Sequence, residues 1–327
     1  MIRRRSVLAA PAVLAALPAR AQGATMRLSH QFPPAHHIAK AIAAFAEDVN
    51  ARNAGIQVQV FPAEQLAKVA ENFPGVARGA FEAAGLVNFN WGNTLPEMSG
   101  MTIPFLSTDL PKIQRFVGSD AAQFLESLIA KKGVTNLAWL FTTRMSIITS
   151  NRKPILTTED FRGLKVRGLN PLTDHALTAV GAAALATPGP EVPGALQSGV
   201  LDAGITDVSA AVSRRYYEFQ KFGTVAPYIT AYTHLFVNPR WLASLNATQK
   251  EALEQAARKA ETNAIGLTEE TAAAATGELR ARGMTIAELD AAGIASWKAQ
   301  MQKPVVDAFL RSAPEGGARI IELLDKL

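Results

Sequence analysis

The chain has no cysteine. That excludes disulfides, thiol nucleophiles, thiolate metal sites and cysteine-linked lipid anchors. Histidine is scarce, five in 327 residues, which leaves little material for a zinc site. Beyond the N-terminus no apolar run approaches the roughly 20 residues that a membrane helix needs. Neither a G-x-S-x-G elbow, an H-E-x-x-H pair nor a P-loop occurs. No serine or carboxylate stands at a suggestive spacing from a histidine, so an exported hydrolase or isomerase has no motif to rest on. No catalytic residue, cofactor or metal is assigned.

What is present is the material of a folded protein. Hydrophobic residues make up 48% and charged residues 19%, too apolar for a disordered chain. A length of 327 residues suits two lobes of an α/β protein better than one small core. The formal charge of +5 is an effect of the N-terminus. Residues 1–21 carry Arg3, Arg4 and Arg5, an apolar stretch Val7–Leu17, and the small-x-small site Ala19-Arg20-Ala21 before Gln22. This is the layout of an export signal rather than of a buried helix. Arg4-Arg5-Ser6-Val7-Leu8 also fits a twin-arginine pattern, so Sec and twin-arginine export both stay open. Cleavage removes four arginines and no acid, leaving +1. A near-neutral protein has no basic field for nucleic acid. The mature chain is expected to be soluble and periplasmic.

Periodicity places the first elements. Met26–Phe32 reads as a strand. Ile38, Ile42, Phe45 and Val49 share one helical face, and Ile56, Val58 and Val60 alternate with Gln57 and Gln59 as a half-buried strand. This is a βα unit feeding a sheet. Further strands are expected at Gly85–Phe89, on both sides of Arg144, at Lys165–Arg167 and at Leu201–Thr206. Helices are expected at Leu172–Val180, Glu191–Gln197 and Val208–Phe222. Asn246 with Gln249 forms a capping box, and no proline interrupts the chain from Ala247 to about Arg282. That predicts a helix of about 50 Å ending at Gly283, long enough to brace two lobes or form a dimer coil.

Several stretches then occur in a fixed order: LSHQFPPAHHIAKAIAAFAEDV (28–49), VQVFPAEQL (58–66), IPFL (103–106), TEDFRGLKVR (158–167), PEVPGALQSGVLDAGIT (190–206) and HLFVNPRWLASLNATQKEALEQAA (234–257). Together they resemble the solute-binding proteins of tripartite ATP-independent periplasmic (TRAP) transporters over essentially the whole mature chain. The resemblance implies a two-lobed periplasmic-binding-protein-like α/β fold with crossing hinge strands and a long helix spanning both lobes. It implies residues 22–144 plus about 232–262 as lobe I, and 145–231 plus about 263–327 as lobe II. It also implies a monomer that closes on a small-molecule carboxylate and hands it to small and large permease subunits driven by an ion gradient. Delivery to an ATP-driven importer is the alternative.

The same resemblance implies that Arg167, in Gly163-Leu164-Lys165-Val166-Arg167, holds the ligand carboxylate. A guanidinium presents parallel N–H donors that match two carboxylate oxygens. A structural ion pair is the competing role. Arg144 is either a second donor or a solvated arginine at a strand end. Phe32 and His36 lie in the first βα loop, where His36 either reaches the cleft or starts the helix. Asn88, Asn90 and Trp91 follow a strand, where α/β proteins bind ligands, although a tryptophan is as readily core. Where relatives carry D-G-Q-E-N-P, this chain has Asp202-Ala203-Gly204-Ile205-Thr206-Asp207, so Thr206 or Asp207 replaces the asparagine amide. Gly189 stands where some relatives are bulky and is expected to leave room. The ligand expected from this set is a monocarboxylate or 2-oxo acid with an apolar or aromatic tail against Trp91, Phe89 and Phe32, ahead of succinate or malate.

Overall fold

The computed structural model describes residues 23–327, so the export signal read in residues 1–21 lies outside the described residues. Among the described residues no helix is long and apolar enough to cross a membrane. The strands are β1 (Ala24–His30), β2 (Ile56–Phe61), β3 (Ala83–Val87), β4 (Thr135–Thr143), β5 (Ser146–Ser150), β6 (Lys165–Gly168), β7 (Ala183–Ala186), β8 (Ala203–Asp207), β9 (Phe222–Ala226), β10 (Ala231–Val237) and β11 (Thr285–Glu288). They form two sheets, ordered β2-β1-β3-β10-β4 and β11-β9-β5-β8-β6-β7.

The chain passes between the sheets where β4 gives way to β5 and again where β9 gives way to β10. Each arriving strand runs against its neighbours. β5 is antiparallel to β8 and β9, and β10 is antiparallel to β3 and β4. The remaining pairs β1–β2, β1–β3, β6–β7, β6–β8 and β11–β9 are parallel. Two lobes joined by crossing strands result.

Local sequence explains the first sheet. Ile56 and Val58 are buried while Gln57 and Gln59 are exposed, as alternation requires. The helix His37–Ala51 buries Ile38, Ile42, Phe45 and Val49 against the sheet, each contributing about 1.5–3 kcal/mol by leaving water. The helix Ala247–Ala281 starts at the Asn246–Gln249 capping box. It ends as Gly283, at φ 94°, donates to Arg280 O and Met284 donates to Leu279 O, the paired closing bonds that favour glycine. Its buried face is the small-residue stripe Ala252, Ala256, Ala260 and Ala264. The first half packs on the helix His37–Ala51 and on β4, the second on the helix Val208–Ser213 and β11, so it touches both lobes.

Two expectations need correction. Val208–Phe222 is not one helix: Val208–Ser213 ends, Arg215 adopts φ 59°, and Tyr216–Glu218 forms a 3₁₀ turn. A left-handed residue cannot continue a right-handed helix. The strand expected at Gly85–Phe89 stops at Val87, and Asn88–Trp91 is a 3₁₀ turn. The C-terminal segment continues after β11 as helices. Its last helix, Gly317–Asp325, packs on the helix Asp120–Lys131, and Lys112 Nζ donates to Leu324 O and Asp325 O.

Candidate functional site

A narrow cavity lies between the lobes. Its walls come from the carboxyl ends of strands: Gln31 and Phe32 after β1, Val87 and Phe89 at β3, Thr142 and Thr143 in β4, and Ile205, Thr206 and Asp207 in β8. Arg167 and Leu169, Gly189, Arg214 and the crossing residues Ile229 and Ala231 complete it.

Arg167 reaches the cavity because β6 is a strand. Val166 points into the apolar core, so its neighbour faces the opposite way. The guanidinium is held by two carbonyls. Nε donates to Thr187 O at 3.1 Å, and Nη1 to Ile205 O at 2.5 Å. Among the described residues no carboxylate lies within ion-pair distance of it and no hydrogen bond uses Nη2. Only 3% of the residue is exposed. Burial pulls its pKa below the usual arginine value, and Arg214 adds to that, against opposing contributions from Tyr216, Asp174 and Asp207. A desolvated cation without an acidic partner is costly, and a bound anion removes that cost.

Arg214 was not foreseen. It follows the helix Val208–Ser213, lines the same cavity, and among the described residues has no ion pair. Its guanidinium fills the space that Gly189 leaves: a Cβ on Gly189 would stand 2.6 Å from Arg214 Nη1. The expected room is therefore occupied by a second cation. The sequence signal was the Arg214-Arg215 doublet, hidden by reading one continuous helix.

Asp207 caps the helix Val208–Ser213, Oδ1 accepting the Ala210 N–H at 2.7 Å. Oδ2 lies 3.7 Å from His36 Nε2, beyond hydrogen-bond range. Burial acts to raise the Asp207 pKa, but His36, His37 and the Ala210 N–H outweigh it and bring it to about 2. His36 is itself pulled down by burial. Its Nδ1 accepts the Ile38 N–H, so the neutral ring carries its proton on Nε2. His36 therefore starts the helix and stands behind Asp207, its ring tilted against that of Phe32 at 4.5 Å between centroids. His36, His37 and Asp207 place ligand atoms within 4.8 Å of one another, but this tautomer turns an N–H, not a lone pair, toward such a centre.

The other sequence candidates divide. Phe32, Thr206 and Asp207 join Arg167 at the cavity. Arg144 does not line it; its Nε and Nη2 grip Glu269 of the long helix at 2.7–3.2 Å, so the guanidinium fork is already filled. Asn88 is also committed, donating to Met98 O and accepting from the Tyr232 N–H. Asn90 is outside the cavity lining, its Nδ2 buried. Trp91 is 1% exposed and packs on Phe73, Phe236 and His234 at 4.9–5.5 Å. The 3₁₀ turn sends it into the core and leaves Phe89 facing the cavity.

Two α/β lobes thus enclose a cleft lined by Arg167, Arg214 and Asp207. Residues 28–312 match the family described as bacterial extracellular solute-binding protein, family 7, and the chain belongs to it. This is a family of transport solute-binding proteins, not of enzymes. The chain is 26% identical over 315 residues to a solute-binding protein of Roseobacter denitrificans, covering 96% of this chain and 94% of that one. It is 27% identical to the C4-dicarboxylate-binding periplasmic protein of Rhodobacter capsulatus, covering 89% and 88%. The match to a solute-binding protein of Albidiferax ferrireducens, 24% identical, spans 62% of this chain and 61% of that one. Among solved structures, a TRAP periplasmic solute-binding protein from Desulfovibrio salexigens with bound orotic acid superposes with a TM-score of 0.87 at 24% identity, covering 92% and 97%.

Proposed function

We propose that the chain is the periplasmic solute receptor of a TRAP transporter, capturing an organic acid by its carboxylate and delivering it to small and large permease subunits. The observation that carries this reading is Arg167: buried, fixed by two carbonyls and without an acidic partner, in a cavity between lobes. Family membership supports the transport role, and relatives named or solved with carboxylates support the solute class. Delivery to an ATP-driven importer is not favoured by that membership. We assign residues 22–144 and about 232–262 to lobe I, with the helix Gly317–Asp325 docked on it, and 145–231 with the rest of the C-terminal segment to lobe II. The receptor acts as a monomer after removal of residues 1–21.

Arg167→Lys tests the site. Lysine keeps the charge but loses the planar fork and the carbonyl contacts that aim it. The variant is expected to fold and to lose about 2–5 kcal/mol of ligand affinity. Organic acids are first screened by thermal shift, where a ligand at 100 times its Kd stabilises by about 2.7 kcal/mol. Titration calorimetry then compares the variant with the parent, and equal affinity removes Arg167 from the site.

A further inference from the structure

We propose that Asp207 makes this a site for a monocarboxylate that also carries a hydrogen-bond donor, a hydroxyl or an amide N–H, and that it rejects a second carboxylate. This rests on the organic-acid reading above.

Charge at the cavity is the first ground. Its charged lining consists of Arg167, Arg214 and Asp207. His36, the N-cap of the helix His37–Ala51, faces Asp207 and is neutral in the tautomer its Ile38 contact requires. His37, which opens that helix, donates its Nε2–H to Thr142 O at 3.0 Å and is held neutral by burial. The charges that line the cavity therefore sum to one positive charge, which a single ligand carboxylate on Arg167 neutralises. Asp174 lies behind the β6 end, accepting the Leu169 N–H at 2.9 Å. When ionised it adds to the field opposing a second anion.

Hydrogen bonding is the second ground. A carboxylate only accepts. Asp207 Oδ1 takes the Ala210 N–H, whereas Oδ2 has no donor within hydrogen-bond range, and the side chain remains 12% exposed. A ligand hydroxyl or N–H supplies the missing donor. A ligand carboxylate or ester oxygen meets it lone pair to lone pair, and a buried acceptor left unpaired costs binding. Arg214 on the adjoining wall remains free to donate to a neutral ligand oxygen.

Isosteric probes separate these possibilities. Each set contains a diacid, its half-amide and its half-methyl ester: succinate, succinamate and monomethyl succinate, with the matching glutarate, adipate and phthalate sets covering other sizes. The half-amide is expected to bind at least about tenfold tighter than the diacid and the half-ester of its set. In Asp207→Asn the side-chain oxygen still caps the helix, and the preference should vanish as the diacid gains. Wild-type protein binding diacids as tightly as half-amides overturns the proposal, and so does an unchanged ratio in Asp207→Asn. Either result alongside lost binding in Arg167→Lys leaves the organic-acid reading intact. Binding of no acid in any set defeats that reading and this proposal together.

Discussion

At Gly189 a missing side chain and a guanidinium share one space. The glycine is not needed for a left-handed backbone, since its φ is not positive. It is needed because a Cβ would stand 2.6 Å from Nη1, 2.7 Å from Nη2 and 2.8 Å from Cζ of Arg214. Gly189→Ala should therefore fold and leave the melting temperature nearly unchanged while pushing Arg214 from its place. Loss of one charge-assisted hydrogen bond costs about 1.5–3 kcal/mol, so ligand affinity should fall by at least about tenfold. Calorimetry on a folded Gly189→Ala protein with parental affinity would show that Arg214 makes no contribution at this position. The same logic separates Arg167 from Arg144. Both are arginines beside strands, but only one of the two guanidinium groups is free of a carboxylate, and residue type alone does not reveal which.

At the scale of elements, the long helix and β4 share a proton-sensitive contact. Glu261 of that helix accepts the Trp139 backbone N–H at 2.8 Å, and Glu126 accepts the Trp139 Nε1–H at 2.9 Å. Burial raises the Glu261 pKa to about 7 from 4.5, and the neighbouring Glu126 charge adds to it. The folded state thus holds this proton more tightly than the unfolded chain. Stability declines as pH rises from about 4.5 to about 7 and stays lower above that. The cost at pH 8 is about 1–3 kcal/mol. Glu261→Gln keeps the acceptor without the charge and should melt several degrees higher at pH 8, with the gain shrinking at pH 5. A variant no more stable than its parent at pH 8 would refute this. The helix itself was legible in the sequence, because its signals are local: Asn246 and Gln249 at one end, Gly283 at the other, and no proline between. The alternating strand at Ile56–Val60 was legible for the same reason. The break at Arg215 and the turn at Asn88–Trp91 were not. Neither carries a residue type that demands its backbone, and a turn in place of one more strand residue is what moved Trp91 from cavity wall to core.

For the whole molecule, the contact between His36 and Asp207 marks a closed cleft. His36 belongs to the loop after β1 in one sheet and Asp207 to β8 in the other, yet they stand 3.7 Å apart. Ligand entry requires these lobes to part about the two strand crossings, and a ligand shifts the balance only by binding the closed form better. Small-angle scattering at pH 7.5 should show a smaller radius at saturation, and an unchanged profile would count against closure. Protons should oppose it. In the closed form burial pulls the His36 pKa below 6.5, the Asp207 charge only partly offsetting this. Opened to water, His36 returns toward about 6.5. The closed form therefore binds fewer protons, so affinity is full above about pH 6.5 and weakens as pH falls below it. His30 and His37 are held at about 4 mainly by burial, and where they stay buried in the open form they add no slope between pH 5.5 and 7.5. Calorimetry across that range should find weaker binding at the acid end for the parent and a flatter profile for His36→Gln. An equal slope in both proteins would remove His36 from the coupling and leave closure to be carried by the ligand's contacts with Arg167 and Arg214 alone.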